Sequence, residues 1–157
     1  MEECRLPVTR EEPAPKRGNF KATPGTLLVN GSYVQKAING TAHVVIDARA
    51  AHFYNGAKSG LPRDGHIPGA INIPYTELLN KETNQLKPEE QLRAYFASAI
   101  TNEKELIAYC FIGQTASVVY LAGRLLDYNI KLYDGGMQEW SRIDYLPLQL
   151  ADSEQSP

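Results

Sequence analysis

Short apolar segments set apart by helix-length stretches constrain this chain more than any other feature. His43-Val44-Val45-Ile46 is β-branched and almost wholly apolar, as a strand covered on both faces of a parallel sheet must be. Ala70-Ile71-Asn72-Ile73 makes a second strand, stopped by Pro74. Glu105 to Tyr109 and Ile130 to Tyr133 make two more, and Phe20-Lys21-Ala22 is expected to open the domain as a short first one. The intervening stretches carry helical signals. Tyr33 to Ile38 ends at Asn39-Gly40, a stop signal. A second helix starts near Pro88, where proline suits the first turn, and places Leu92, Tyr95, Phe96 and Ala99 on one face. Thr115 to Asp127 reads as a helix with Val119, Leu121, Ala122 and Leu125 inward and Asn129 as a left-handed cap after it. Gly136 to Arg142 forms a terminal helical turn. Strands alternating with helices predict right-handed crossovers and an α/β fold whose parallel sheet is flanked by helices on both faces.

Composition narrows the function. The chain has 157 residues, 43% of them hydrophobic, enough for one domain with a sizeable core. Sixteen Lys and Arg against 18 Asp and Glu leave a net charge of −2, which argues against electrostatic binding to nucleic acid or to an anionic membrane surface. No apolar run approaches the length of a membrane-spanning helix. Met1 to Asn19 contains no apolar core for a signal peptide, so the compartment is cytoplasmic by default unless the chain belongs to a longer exported protein. Residues 2–19 hold eight charges and three prolines and read as a linker-like arm, the joint to an upstream domain. Residues 20–148 form the domain, and 149–157 a flexible tail. Cys4 and Cys110 are the two cysteines; with Cys4 in the polar arm, Cys110 reads as a free thiol. Cys110, His43, His52 and His66 have no metal-ligand spacing, and no metal or cofactor is expected.

The stretch with chemical content runs from Glu105 to Ser117. An apolar strand ends at Cys110, a helix starts about five residues later, and Gly113 lies in the short loop between them. Ligands of open α/β sheets sit at the carboxyl ends of strands. A sulfur there faces the free N–H groups and the positive dipole end of the following helix, which favours a thiolate or a thiolate bearing an extra sulfur. A buried structural cysteine is the alternative. Three further motifs accompany the loop. Asp47-Ala48-Arg49 ends one strand, Gly65-His66-Ile67-Pro68-Gly69-Ala70 leads into another, and Tyr133-Asp134-Gly135-Gly136 with Trp140 closes the domain.

This ordered set resembles the rhodanese, or sulfurtransferase, family over roughly Phe20 to Pro147. The resemblance implies a rhodanese-like fold with a central five-stranded parallel sheet. It makes Cys110 the nucleophile that takes sulfane sulfur from an anionic donor of the thiosulfate or 3-mercaptopyruvate class. The sulfur is held as a cysteine persulfide and passed to cyanide or a thiol acceptor, in a thiosulfate sulfurtransferase-like reaction. Phe111, Ile112, Gly113, Gln114 and Thr115 form the loop, whose N–H groups stabilise the sulfur anion. Arg49 matches the family's substrate-binding arginine, expected to clamp the donor's anionic end. Asp47, His66, Asp134, Gly135 and Trp140 are expected to order loops and pack. His52, Lys58 and Arg63 lie in the stretch from Ala50 to Asp64, as anion binders or as a solvated loop. That stretch resembles the insertion of the C-terminal, catalytic half of two-domain thiosulfate and mercaptopyruvate sulfurtransferases, which implies a second rhodanese-like domain upstream.

The loop departs from both family patterns. The thiosulfate type carries Arg and Lys, and the mercaptopyruvate type Gly and Ser, where this chain has Phe111 and Ile112. Its rim is apolar and suits a protein-bound persulfide or a larger organic donor. Phosphatases that share the fold have a loop one residue longer with a phosphate-binding arginine; none is present between Cys110 and Ser117. The remaining alternatives are a non-catalytic rhodanese-like binding or regulatory module and a protein-persulfide relay.

Overall fold

The computed structural model describes residues 7–23, 25–97, 100 and 104–150. Five parallel strands lie in the order β1-β5-β4-β2-β3. They are β1 (Leu28–Val29), β2 (His43–Asp47), β3 (Ile71–Asn72), β4 (Glu105–Tyr109) and β5 (Ile130–Tyr133). The helices are α1 (Gly31–Ile38), α2 (Ala51–Tyr54), α3 (Glu89–Ala97), α4 (Ala116–Leu125) and α5 (Gly136–Trp140), with a 3-10 turn at Tyr75–Leu78. The register sets Val44 beside Leu106 and Asp47 beside Tyr109, so β2 and β4 end level with one another.

Two cores follow from the period-two alternation of strand side chains. Ile46, Leu106 and Ala108 face α3 and α4, packing on Leu92, Phe96, Val119 and Ala122. Val45, Ile107 and Tyr109 face α1 and α5, packing on Val34, Ala37, Met137 and Trp140. Tyr109 and Cys110, adjacent in the chain, therefore point to opposite faces of the sheet.

Five sequence expectations are corrected. The first strand is Leu28–Val29, not Phe20-Lys21-Ala22, and Phe20 is 90% exposed. Every described residue from 7 to 23 is exposed. The strand forms at Val29 because Val29 enters the core directly before Asn30, whose side chain accepts from the Tyr33 amide and caps α1. That cap also starts α1 two residues before Tyr33. In α4, Val119 and Ala122 are buried, but Leu121 and Leu125 are 50% and 58% exposed. The buried stripe runs through Ala116, Val119, Ala122 and Gly123, and at about 100° per residue Leu121 and Leu125 fall outside it. The left-handed residue after α4 is Asp127, with φ 63°, not Asn129. Asp127 N donates to Arg124 O and Tyr128 N to Gly123 O, the paired bonds of a Schellman cap. In α3, Leu92 and Phe96 are buried and Tyr95 half-buried, while Ala99 lies outside the described residues. Gln149, placed in the tail by sequence, exchanges two backbone hydrogen bonds with His66 and belongs to the folded body.

Candidate active site

Cys110 directly follows β4 and is 1% exposed. The loop after it is held from below by the start of α5. Met137 N donates to the Cys110 carbonyl at 2.8 Å and Gln138 N to the Phe111 carbonyl at 2.9 Å. Two glycines permit this approach. Gly136 has φ 53°, and a Cβ on it would lie 2.6 Å from the Cys110 carbonyl oxygen and 2.7 Å from that of Phe111. Gly113 has φ 79°, and its Cβ would meet the Asp134 Cα at 2.8 Å. Both conformations are unfavourable for residues with side chains. Among the described residues, none of the amides of Phe111 to Thr115 donates to a protein acceptor. They precede the N-terminus of the ten-residue helix α4. Unbonded amides in a turn ahead of a helix dipole make a nest for an anion.

A charged network lies behind the loop. Asp47, fully buried at the end of β2, accepts from the Arg49 amide at 2.9 Å, from Arg49 Nη2 at 2.6 Å and from the Tyr109 hydroxyl at 2.7 Å. Arg49 Nη2 also donates to the Gly65 carbonyl, and the Tyr109 hydroxyl accepts from the Ile67 amide. The Arg49 guanidinium carbon lies 5.1 Å from the centre of the Phe111 ring, within cation–π range. Phe111 in turn meets Phe53 edge-on at 5.1 Å.

Arg49 was expected to clamp a donor; its side chain is 1% exposed and bonded to Asp47 and Gly65. The reason is local. Asp47 is buried at a strand end, and only a forked cation two residues on fits both its oxygens. Burial alone would push the Arg49 guanidinium down; the bonds and charge of Asp47 outweigh it and the shift is upward. Tyr109 is pushed well above its ordinary value by burial first and the Asp47 charge second, so its hydroxyl keeps its proton and donates. Sequence reasoning passed over Tyr109, a polar aromatic directly before Cys110 at the end of a strand that is apolar from Leu106 to Ala108, and the sign there of a buried partner.

The other motif residues serve the frame. His66 Nδ1 donates to the Tyr54 carbonyl at 2.8 Å, and its ring stacks on that of Tyr54 at 3.8 Å. Trp140 Nε1 donates to the Pro147 carbonyl. Half-buried Arg63 is turned onto the backbone: it donates to the carbonyls of Trp140, Ser141, Ile143 and Leu146 at 2.7 to 3.1 Å. It thereby closes the carboxyl end of α5. We expect Arg63→Ala to lower stability by on the order of 1–3 kcal/mol, since four partly buried acceptors lose a charged donor together. Urea denaturation with an unchanged m-value checks this. Ile112 is 53% exposed, Gln114 is exposed and Thr115 half-buried. His52 lies against Phe53, with ring centres 4.0 Å apart.

Burial pushes His66 below its ordinary value, partly offset by the Tyr54 carbonyl and the Asp47 charge. The unfolded chain then binds a proton more readily than the folded one. Stability from this group is complete above about pH 6.5, the unperturbed value, and falls as the pH drops below it. Thermal unfolding should show this acid loss, and His66→Gln should flatten the profile in that window.

The fold and site are those of a parallel α/β sheet with a buried cysteine and a glycine-shaped amide loop at the end of a central strand. The chain belongs to the rhodanese-like domain family, which it matches over residues 31–143. It is similar to the 3-mercaptopyruvate sulfurtransferase of Escherichia coli strain K12, 42% identical over 111 residues that cover 67% of this chain and 38% of that protein. The 3-mercaptopyruvate sulfurtransferase of Rattus norvegicus is 41% identical over 61% of this chain and 34% of its own length. The chain thus spans well under half of the relatives it matches. Among solved structures, the anaerobic ergothioneine biosynthesis enzyme of Chlorobium limicola shares the fold, with a TM-score of 0.74 over 80% of this chain and 32% of that one, at 22% identity. Among the described residues no helix is long and apolar enough to cross a membrane.

Proposed function

We propose that this domain is a sulfurtransferase in which Cys110 carries sulfane sulfur from a small anionic donor to a thiophilic acceptor. The observation that carries the reading is the buried Cys110 at the end of β4, followed by five amides that, among the described residues, donate to no protein acceptor. In the first half-reaction the Cys110 thiolate attacks the outer sulfur of the donor. With thiosulfate, the bond between the two donor sulfurs breaks and sulfite leaves with its electron pair. With 3-mercaptopyruvate, the carbon–sulfur bond breaks and the carbon, taking the pair, is protonated to pyruvate. Either way Cys110 becomes a persulfide anion, the charge the amide nest suits. In the second half-reaction the acceptor attacks the outer sulfur, and the electron pair returns to Cys110.

The expected donor role for Arg49 is recast. From behind the loop, its charge acts through the Phe111 ring and the Asp47 pair rather than by touching the donor. The absence of a loop cation favours an organic donor over thiosulfate, as does the higher identity to relatives named for 3-mercaptopyruvate, 41–42% against 35–36% for those named as putative thiosulfate sulfurtransferases. The decisive measurement is the mass of the Cys110 peptide after brief exposure to each donor. A gain of one sulfur atom with 3-mercaptopyruvate, discharged by cyanide, supports the reading. No adduct with any donor would leave a binding module. We further expect Ile112→Lys, on an exposed rim position, to raise kcat/KM for thiosulfate about threefold at low salt, with the gain lost as salt is added.

A further inference from the structure

Of the loop residues 111–115, Phe111 alone packs into a hydrophobic cluster, the one on the α1 and α5 side of the sheet. Cys110 belongs to the cluster on the α3 and α4 side. Consecutive side chains thus pass to opposite faces of the sheet and straddle the backbone between them. Ile112 and Gln114 are exposed, and among the described residues the amides of Phe111 to Thr115 donate to no protein acceptor. A loop that leaves its amides free for an anion cannot use them to hold its own shape. That shape has to be imposed through its carbonyls and side chains.

One short segment grips Phe111 twice. Arg49, two residues past β2, places its guanidinium carbon over the Phe111 ring, 5.1 Å from the centre. Phe53, four residues further on in α2, meets the same ring at 5.1 Å with an interplanar angle of 81°. Both grips have fixed mounts. Arg49 Nη2 donates to Asp47 and to the Gly65 carbonyl. Next to Phe53, the Tyr54 hydroxyl donates to the Ala70 carbonyl at 2.7 Å, and the Tyr54 carbonyl accepts from His66. A ring held by a cation and by a perpendicular ring is confined in position and in tilt.

We propose that Phe53 and Phe111 are positioning residues: with Arg49 they form an aromatic clip that fixes the first residue of the loop and thereby sets the aim of the free amides. The clip rests on the sulfurtransferase reading for its part in the reaction, where it prepares the nest before the anion arrives. Phe53 acts through Phe111, and Phe111 through its own backbone. With the ring clipped and the Phe111 carbonyl bonded to Gln138 N at 2.9 Å, the peptide groups on either side of Phe111 lose their freedom to turn. The amides are then preorganised and need no ligand to assemble them. The clip also gives a purpose to α2, which is otherwise a four-residue turn with no buried residue.

The test alkylates Cys110 in the whole chain with iodoacetate and with iodoacetamide, followed by the mass of the Cys110 peptide, well below the unfolding temperature of every variant. The reagents share a leaving group and nearly a size, but only iodoacetate is an anion. Access to the thiol and its ionised fraction enter both rates alike, so their ratio, divided by that of the urea-unfolded chain, reads the pull of the nest. We expect iodoacetate to be favoured in the unaltered chain, and Phe53→Leu and Phe111→Leu each to lower the ratio about threefold, as the loss of one aromatic or cation–π contact allows. The double change should lower it little further, because either loss opens the same clip. Phe53→Tyr keeps the ring and should keep the ratio. The clip is overturned by an unchanged ratio in Phe53→Leu, by a tyrosine variant that falls as far as the leucine one, by independent effects that multiply in the double variant, or by no preference in the unaltered chain. The expected pattern in a chain that takes sulfur from no donor would support the clip and overturn the sulfurtransferase reading alone.

Discussion

Replacing Cys110 by serine is expected to abolish sulfur transfer, by a factor of at least about 10³, while the protein unfolds at nearly its original temperature. Sulfane sulfur can be carried only on a thiolate, and a hydroxyl at ordinary pH is neither ionised nor a partner for a stable persulfide bond. The change is nearly isosteric, and the structure gives it room. Cys110 contributes its carbonyl to Met137 through the backbone, which serine keeps. Its side chain belongs to the core cluster on the α3 and α4 side of the sheet, where a hydroxyl loses a small desolvation term. The measurement pairs cyanide-dependent thiocyanate formation with thermal unfolding, and Cys4→Ser, the chain's other thiol, is the control. Retained turnover in Cys110→Ser would remove the basis for every chemical statement made about the loop.

The second large effect falls on Asp47. Asp47→Ala leaves the Arg49 guanidinium buried at 1% exposure with the Gly65 carbonyl and the rings of Phe111 and Tyr109 but no counter-charge among the described residues. It also strands the Tyr109 hydroxyl as a donor without its acceptor. Breaking one side of a buried pair costs about 3–5 kcal/mol, which for a chain of this size lowers the unfolding temperature by roughly 10 °C or more. The mechanism is specific enough to reverse. Adding Arg49→Met to Asp47→Ala removes the unpaired charge and should recover a good part of the loss. If the double variant is less stable than the single one, the ion pair does not govern this region. Activity should fall in the single variant beyond what unfolding explains, because Arg49 and Phe111 flank the nucleophile loop.

Much of the sheet could be read from the chain alone, for a physical reason. Strands covered on both sides are rich in apolar residues, so β2 and β4 stand out as Val44 to Ile46 and Leu106 to Ala108, and β5 as Ile130 to Tyr133 around Lys131, which pairs with Glu105. The edge strand β1 has only two residues and one buried side chain, too little pattern to distinguish from Phe20-Lys21-Ala22. The inward face of α4 was misassigned because leucine at 121 and 125 carries the same hydrophobic weight as a core residue, and only packing against Phe96 and Ile130 selects the other side. The Cys110 loop was readable from a strand, a cysteine, a glycine and a helix in that order. The direction of Arg49 was not. An Asp-x-Arg sequence is compatible with an arginine aimed at a ligand or folded back on its own aspartate, and the burial of Asp47 decides between them. Arg63 was unreadable for a similar reason: its acceptors are backbone carbonyls some eighty positions later, and carbonyls leave no trace in side-chain identity.

The bonds from α5 to the Cys110 and Phe111 carbonyls have a consequence for a chain made from its amino terminus onward. When Cys110 is added to the growing chain, β5, α5 and the segment through Gln149 do not yet exist. The nucleophile's own carbonyl lacks its partner at Met137, and Arg63 lacks the four carbonyls it will gather. At about 5–20 residues per second, the delay lasts on the order of a few seconds. During it the thiol is neither buried nor shaped into a nest. Reactivity and protection of this sulfur thus arise in the same late event, and nascent chains halted short of α5 would display a cysteine with the exposure of an unfolded residue.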